Sequence, residues 1–245
     1  MLRMLRDVAR HDAAIVALGL TTLAIGIPVD ASAAPWAQPV VSAWAWCALA
    51  LVAWLARPEE RRELAACVVL ATAGELFLKD VWGLYVYRLG NLPLFIPAGH
   101  ALVYATARRL ADRAPGWLPW AVGASFAVVV GRGAWLGTDT FGLLWFGVFL
   151  AYLRVSARPA LCATLFLLAL AIETYGTALG GWRYFTVEPW FGLTTTNPPV
   201  WIGAIYCTLE TLVQLAAGGA PAAANSSCSA AHPHATVMGA ITGPD

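Results

Sequence analysis

Charged side chains are scarce in this chain. They make up 12% of the 245 residues, whereas hydrophobic residues make up 60%. A soluble domain has about a quarter charged residues, so too little polar surface remains here to cover a molecule in water. The formal net charge of +1 excludes the clustered basic face of a nucleic-acid-binding protein. The sequence therefore predicts a polytopic membrane protein that has no nucleic-acid partner.

Cysteines are few, and none of them form a Cys-x-x-Cys pair. They stand at positions 47, 67, 162, 207 and 228, and four of the five lie inside apolar runs. This scatter excludes a disulfide framework and a cysteine metal site. The four in apolar runs are predicted to be small buried hydrophobic side chains.

Eight apolar segments approach the roughly 17 to 25 residues that cross a bilayer. They cover residues 12–29, 37–56, 64–84, 93–107, 117–136, 139–155, 160–181 and 199–217. The runs are continuous, which indicates helices rather than the alternating strands of a barrel. The fourth run is the shortest, so a seven-helix arrangement stays open. The predicted fold class is all-α, a bundle of about eight transmembrane helices within residues 1–218.

Basic residues fall mostly at one end of this predicted bundle. That end holds Arg3, Arg6, Arg10, Arg57, Arg61, Arg62, Arg108, Arg109, Arg113, Arg154 and Arg158. The other end holds Lys79, Arg88, Arg132 and Arg183. Because Lys and Arg accumulate in cytoplasmic loops, both termini are predicted to be cytoplasmic, in a bacterial cytoplasmic membrane. Residues 219–245 are rich in Ala, Gly, Pro and Ser and are predicted to form a disordered tail.

The chain contains a candidate internal repeat. Residues 91–100 match residues 197–206 in Asn, Pro, Ile and Ala, and Glu75 and Gly83 match Glu173 and Gly181. Both blocks occur in the same order on the third and fourth helices and again on the seventh and eighth. This predicts two parallel four-helix halves, residues 12–109 and 117–217, with the functional site at the interface between them.

Four ionisable side chains lie inside the predicted spans, where their insertion cost makes them functional candidates. They are Glu75, His100, Glu173 and Glu210. Helical rise places all four in one layer of the outer half of the membrane, with Tyr206 one turn from Glu210. We expect them to converge on one cavity between the third, fourth, seventh and eighth helices, open to the extracytoplasmic side. The alternative is that each Glu only hydrogen-bonds to a neighbouring helix.

The same layer could carry two kinds of chemistry. A carboxyl group kept out of water can stay protonated and act as a general acid toward an alkene. Carboxylate and imidazole groups can also bind iron, manganese or zinc. A membrane di-iron enzyme presents several His at helical spacing, and this layer has one, so no metal and no cofactor are predicted.

Two outer loops are rich in aromatic residues, as expected of an interfacial belt. The first holds Lys79, the only lysine, beside Asp80; an interfacial ion pair is favoured over a Schiff base. Arg183 could bind an anionic group or extend to the surface. The candidate substrate-binding residues are Tyr85, Trp182, Arg183, Tyr184, Asn197 and Tyr206.

The segment from Glu173 to Tyr184, followed by Pro198-Pro-Val-Trp-Ile202, resembles a family of small membrane proteins of carotenoid biosynthesis. The family includes the bisanhydrobacterioruberin and gamma-carotene hydratases. The resemblance covers about forty residues at each repeat. Glu173, Gly176, Gly180 and Tyr184 correspond to the family pattern. It implies a membrane lyase or isomerase acting on an isoprenoid.

The sequence thus favours an enzyme that hydrates or isomerises a double bond of a long apolar lipid. Glu173 and Glu75 are the predicted acid and base, and His100 sets their protonation. Trp182, Tyr184 and Tyr85 would stabilise a carbocation. The alternative is a carrier or binding protein for a lipid or small solute, whose halves rock around the same layer. The pattern predicts no particular oligomeric state.

Overall fold

The computed structural model describes residues 2–32 and 34–218. The predicted disordered tail, residues 219–245, lies outside the described residues. Eight α-helices and one pair of short strands make up the described part of the chain, so the prediction of a helical protein is confirmed. The helices are α1 (Leu2–Ala31), α2 (Ala37–Leu55), α3 (Pro58–Leu76), α4 (Phe95–Ala111), α5 (Leu118–Trp135), α6 (Thr140–Val155), α7 (Pro159–Ala178) and α8 (Ile202–Ala216).

Three of these helices are long and apolar enough to cross a membrane. They are the His11–Ala31 part of α1, α2, and α7, while α6 and α8 are apolar but shorter. The third helix differs most from its predicted range of 64–84. It begins at Pro58, because proline suits the first helical position and Glu60 accepts a hydrogen bond from the backbone N–H of Arg57 at 3.3 Å. Charged residues therefore occupy the first turns of α3.

Four helices form the centre of the bundle. Helix α3 packs on α4 and α7 packs on α8, and these two pairs meet through contacts of α4 with α7 and of α3 with α8. Helices α1 and α2 cover one flank, and α5 and α6 cover the other. The side chains that follow α3 and α7 are consequently brought to the same end of the central four helices.

Two three-residue strands meet at that end. Strand β1 (Tyr85–Tyr87) follows α3, and β2 (Trp182–Tyr184) follows α7. They pair antiparallel, with Tyr85 opposite Tyr184 and Tyr87 opposite Trp182. Successive side chains of a strand point to opposite faces, so these four aromatic side chains share the buried face of the strand pair, and the residues at the centre of each strand are exposed.

A π-helical turn, Phe77–Val81, joins α3 to the segment before β1. Glu75 precedes the first residue of β1 by ten positions, whereas Glu173 precedes the first residue of β2 by nine. A π-turn accommodates one more residue than an α-turn, so it compensates for this difference and aligns Glu75 with its strand. Lys79 and Asp80 form the predicted ion pair within the turn.

Candidate functional site

Glu75 is held by two tyrosines of the strand that follows its own helix. Its Oε2 atom accepts hydrogen bonds from the hydroxyl of Tyr85 at 2.5 Å and from the hydroxyl of Tyr87 at 2.7 Å. Both tyrosines are buried, so the carboxyl group has few alternative orientations. Tyr87 is a site residue that the sequence analysis did not name, and its contact with Glu75 is seen only in the structure. The alternation of Tyr85-Val86-Tyr87 is the signal in the sequence that could have identified it.

His100, near the start of α4, contacts the other oxygen of the same carboxyl group. Its Nε2 atom lies 3.3 Å from Oε1 of Glu75, and its Nδ1 atom lies 3.0 Å from the carbonyl oxygen of Ile96. A carbonyl oxygen only accepts hydrogen bonds, so Nδ1 carries a proton. The 3.3 Å contact between Nε2 and Oε1 is within the range of an ion pair. A proton carried by either group would lie between the two, and Glu75 and His100 are called the proton-sharing pair for this reason.

Tyr206 of α8 covers the imidazole ring. The two rings are stacked, with centroids 5.2 Å apart and an angle of 9° between their planes. The sequence alignment of the two candidate repeats puts His100 and Tyr206 at equivalent positions. The helix starts that carry these side chains thus face each other in the bundle.

Glu173 of α7 has its own partner in the second strand. Its Oε2 atom accepts a hydrogen bond from the indole Nε1 of Trp182 at 2.5 Å. The helix passes close to this indole because Gly176 has no side chain: a Cβ there would lie 2.0 Å from the Trp182 ring. The arrangement mirrors that of Glu75, with a glutamate on the helix and its donor on the following strand.

Tyr184 joins the two halves of the cluster. Its ring lies 5.0 Å from that of Tyr85 and 5.6 Å from that of Trp201, measured between centroids. Its backbone N–H donates to the side-chain oxygen of Asn197 at 3.3 Å. Asn197, proposed from the sequence as a substrate-binding residue, therefore connects β2 to the segment that leads into α8.

Two other predicted site residues lie elsewhere. Arg183 occupies the outward-facing position of β2, and its guanidinium lies 5.9 Å from the ring of Phe185, so it does not reach the glutamates. Glu210 is buried one turn beyond Tyr206, and the charges of Arg108 and Arg158 act on it. The predicted layer of four groups thus contains Glu75, His100 and Glu173, whereas Glu210 faces the opposite end of the bundle.

That opposite end has a buried ionic cluster that the sequence did not predict. Glu60 of α3 accepts from Arg109 of α4 at 2.7 Å, and Glu63 pairs with Arg108. Glu63 also accepts from the hydroxyl of Tyr104 at 3.2 Å. The charge pattern of the sequence predicts that both arginines lie in a loop, yet Arg109 is only 7% exposed. The i, i+3 spacing of Glu60 and Glu63 was the available signal.

The loop between β2 and α8 is organised by another glutamate that the sequence did not single out. Glu188 is 1% exposed and accepts hydrogen bonds from the indole N–H of Trp82 at 3.0 Å and from the backbone N–H groups of Trp190, Phe191 and Leu193. Burial alone would raise the pKa of Glu188, but these donors favour the ionised form and lower the pKa below its usual value. The ring of Trp82 stacks on that of Trp190 at 4.6 Å.

An apolar groove is lined by Tyr206, which stacks on His100, and by Trp182, which donates to Glu173, but not by Glu75 or His100 themselves. Its cavity volume is about 60 Å³. Helices α1, α2, α4 and α7 form its walls, and Trp182 and Tyr206 line the end next to the glutamates. The expected cavity between α3, α4, α7 and α8 is thus replaced by a groove on the α1 and α2 side of α4. Gly99, beside His100, also lines it and leaves open space there.

Potential metal ligands are dispersed in the part of the chain whose side chains are described. Within residues 11–32 and 34–218, no group of three His, Cys, Asp or Glu side chains is close enough together to hold an ion. The carboxyl group of Glu75 contacts the imidazole of His100 and the phenolic hydroxyls of Tyr85 and Tyr87.

Comparison with protein-family models, curated proteins and solved structures finds no match to this chain.

Proposed function

We propose that this chain is an integral membrane enzyme that protonates a double bond of a long apolar lipid of the isoprenoid or carotenoid type. The result is either hydration or isomerisation of that bond. The observation that supports this proposal is the Glu75–His100 pair, covered by Tyr206, whose side chain also lines an apolar groove. A groove of this composition suits a hydrocarbon chain, and the pair supplies a proton where water is scarce.

The membrane arrangement is part of the same proposal. The chain would cross a bacterial cytoplasmic membrane eight times, with both termini in the cytoplasm and two parallel halves of four helices. The antiparallel pairing of β1 with β2 supports the two halves, because equivalent strands that pair in this way are related by a twofold axis between Val86 and Arg183. The similar contacts of α3 with α4 and of α7 with α8 support them as well.

The reaction begins with proton transfer from the Glu75–His100 pair. The π electrons of the double bond form the new C–H bond, and the adjacent carbon becomes a cation. The aromatic faces of Trp182 and Tyr206 line the groove and would stabilise this cation by roughly 2 kcal/mol when desolvated. Tyr85 and Tyr87 keep the carboxyl group oriented throughout.

Two outcomes are open to the cation. Water can add to it and lose a proton, which gives an alcohol and completes a hydration. Alternatively, a neighbouring carbon loses a proton, which moves the double bond. In both cases one proton returns to the Glu75–His100 pair, so the enzyme regains its starting state without a cofactor. Glu173, fixed by Trp182, is proposed to hold this indole against the cation rather than to donate the first proton.

The decisive experiment compares lipid extracts from a bacterial host that makes linear carotenoids. The host would express the unmodified chain, Glu75→Gln or the control Glu59→Gln, which changes an exposed glutamate of the same helix. We expect the unmodified chain and the control to convert a lipid into a product that is heavier by one water or that has the same mass and a different retention time. Glu75→Gln should abolish that product.

Other results would reject the enzymatic proposal. If the unmodified chain leaves every extracted lipid unchanged, it is not an enzyme for these lipids. If it also copurifies with an unaltered lipid, the second candidate function, a carrier, is supported. Product formation by Glu75→Gln at the control level would remove the proton-sharing pair from the mechanism.

A further inference from the structure

A second pocket lies at the other end of α4. The apolar groove contacts the first turns of this helix, whereas the second pocket contacts its last turn, at Arg108 and Ala111. The cavity volume of this pocket is about 280 Å³. The α4–α5 loop and the start of α7 complete its walls. The pocket is therefore separate from the site assigned to lipid chemistry.

Two arginines face this pocket. They are Arg108 and Arg158, and Asp112 is the one acidic residue among its lining residues. Arg108 pairs with Glu63 on the side toward α3. The ion pairs formed by the described residues involve Arg57, Lys79, Arg88, His100, Arg108 and Arg109, but not Arg158.

An anion in this pocket would meet the positive charges of both arginines. A planar guanidinium binds phosphate oxygens through short, charge-assisted hydrogen bonds. Two such groups line one pocket that contains a single carboxylate, Asp112, and Arg158 forms no ion pair among the described residues. The composition of the pocket thus fits a phosphate group better than a neutral ligand.

The surroundings of the pocket place it at the level of lipid head groups. Trp117 directly follows the pocket-lining residue Gly116, and Trp120 directly follows the pocket-lining residue Pro119. The two tryptophans are 65% and 58% exposed. Exposed tryptophans of membrane proteins collect at the interface between hydrocarbon and water. Basic pockets between helices at this level are typical binding sites for anionic lipids.

We propose that the pocket formed by Arg108, Arg158 and the α4–α5 loop binds a phosphate group, and that an anionic phospholipid of the cytoplasmic leaflet supplies it. The proposal depends on the charges and position of this pocket and rests on the membrane arrangement proposed above, but not on the proposed reaction. Free phosphate has the same chemistry and is the alternative source.

Binding can be measured by native mass spectrometry of the full chain released from detergent. The probes are phosphatidylglycerol, phosphatidylcholine and inorganic phosphate. The variants are Arg158→Gln and Arg154→Gln, the second of which removes an exposed charge outside the pocket. Thermal unfolding of each variant establishes that it is folded, and Arg158→Lys tests whether charge alone suffices.

We expect phosphatidylglycerol to bind the unmodified chain and Arg154→Gln equally and Arg158→Gln roughly tenfold more weakly, the cost of one charge-assisted hydrogen bond. Phosphatidylcholine should bind less well because its cationic group faces the arginines. Competition by millimolar inorganic phosphate would identify free phosphate as the ligand. Equal binding of phosphatidylglycerol to Arg154→Gln and Arg158→Gln, or no preference over phosphatidylcholine, would overturn the proposal. Neither result would affect the assay of Glu75→Gln.

Discussion

The imidazole of His100 lies 3.3 Å from the carboxyl group of Glu75, and its other nitrogen donates to the carbonyl oxygen of Ile96. With Nδ1 as the donor to Ile96, Nε2 is the nitrogen that faces the carboxyl group. Both side chains are largely removed from solvent, so water cannot easily take the place of a missing partner. Removal of either side chain therefore leaves the other without its partner.

Replacing His100 by Leu should destabilise the protein by about 2 to 3 kcal/mol, because it leaves the Oε1 atom of Glu75 without its partner. His100→Gln keeps an N–H group that can donate to this oxygen and should retain most of the stability while product formation is lost. Thermal unfolding in detergent, followed by circular dichroism, measures the first effect, and the lipid assay measures the second. Equal unfolding midpoints for the Leu and Gln variants would contradict a stabilising contact.

Gly176→Ala should also destabilise the protein. The new methyl group would lie 2.0 Å from the ring of Trp182, so the indole must move and its hydrogen bond to Glu173 is lost. Overpacking of this kind costs about 1 to 3 kcal/mol. The matched control is Gly147→Ala on α6, where a Cβ has no neighbour within 4 Å and alanine favours the helix. Urea or thermal unfolding should separate the two variants; if they unfold alike, the close approach at Gly176 is not required.

Gly99→Leu tests whether the apolar groove holds the substrate. A side chain at this position enters open space on the wall of the groove, so the fold should tolerate it while the lipid is displaced. We expect product formation to fall by roughly a hundredfold, as for other misplaced substrates. Gly147→Leu, which adds the same group on an exposed face of α6, should leave the product unchanged. Full activity of Gly99→Leu would show that the substrate binds elsewhere.

Glu188 should make stability depend on pH. Its folded-state pKa is lower than the usual value of 4.5, so the ionised carboxylate stabilises the folded state above that pH, and this contribution is lost as the pH falls through the folded-state pKa. Glu188→Gln should therefore unfold more easily at pH 7, by about 2 kcal/mol for the lost charge-assisted hydrogen bonds. The difference from the unmodified chain should shrink as the pH is lowered below 4.5.

The control for this comparison is Glu59→Gln, which changes an exposed glutamate and should have little effect at either pH. Unfolding midpoints are measured at pH 7 and again in steps down to acid pH. A difference between Glu188→Gln and the unmodified chain that stays constant over the whole range would mean that the charge of Glu188 does not matter.

Composition and periodicity determined the helical class of this protein and three of its central polar residues. Long apolar runs must satisfy their backbone groups internally, and a glutamate or histidine within such a run needs a partner. For these reasons Glu75, His100 and Glu173 could be selected from the sequence. The same reasoning selected Glu210, because depth along a helix is readable from spacing whereas the direction of a side chain is not.

Tertiary structure decided which partner each group has. The pairing of β1 with β2 joins residues about a hundred positions apart, and a three-residue strand carries too weak a pattern to be predicted. Likewise, the burial of Arg109 depends on how α4 is rotated against α3, where Glu60 meets it. Hydrophobicity specifies that the helices associate, but their rotation and offset are set by packing across the whole bundle. The proton-sharing contact between Glu75 and His100 exists only once that packing is complete.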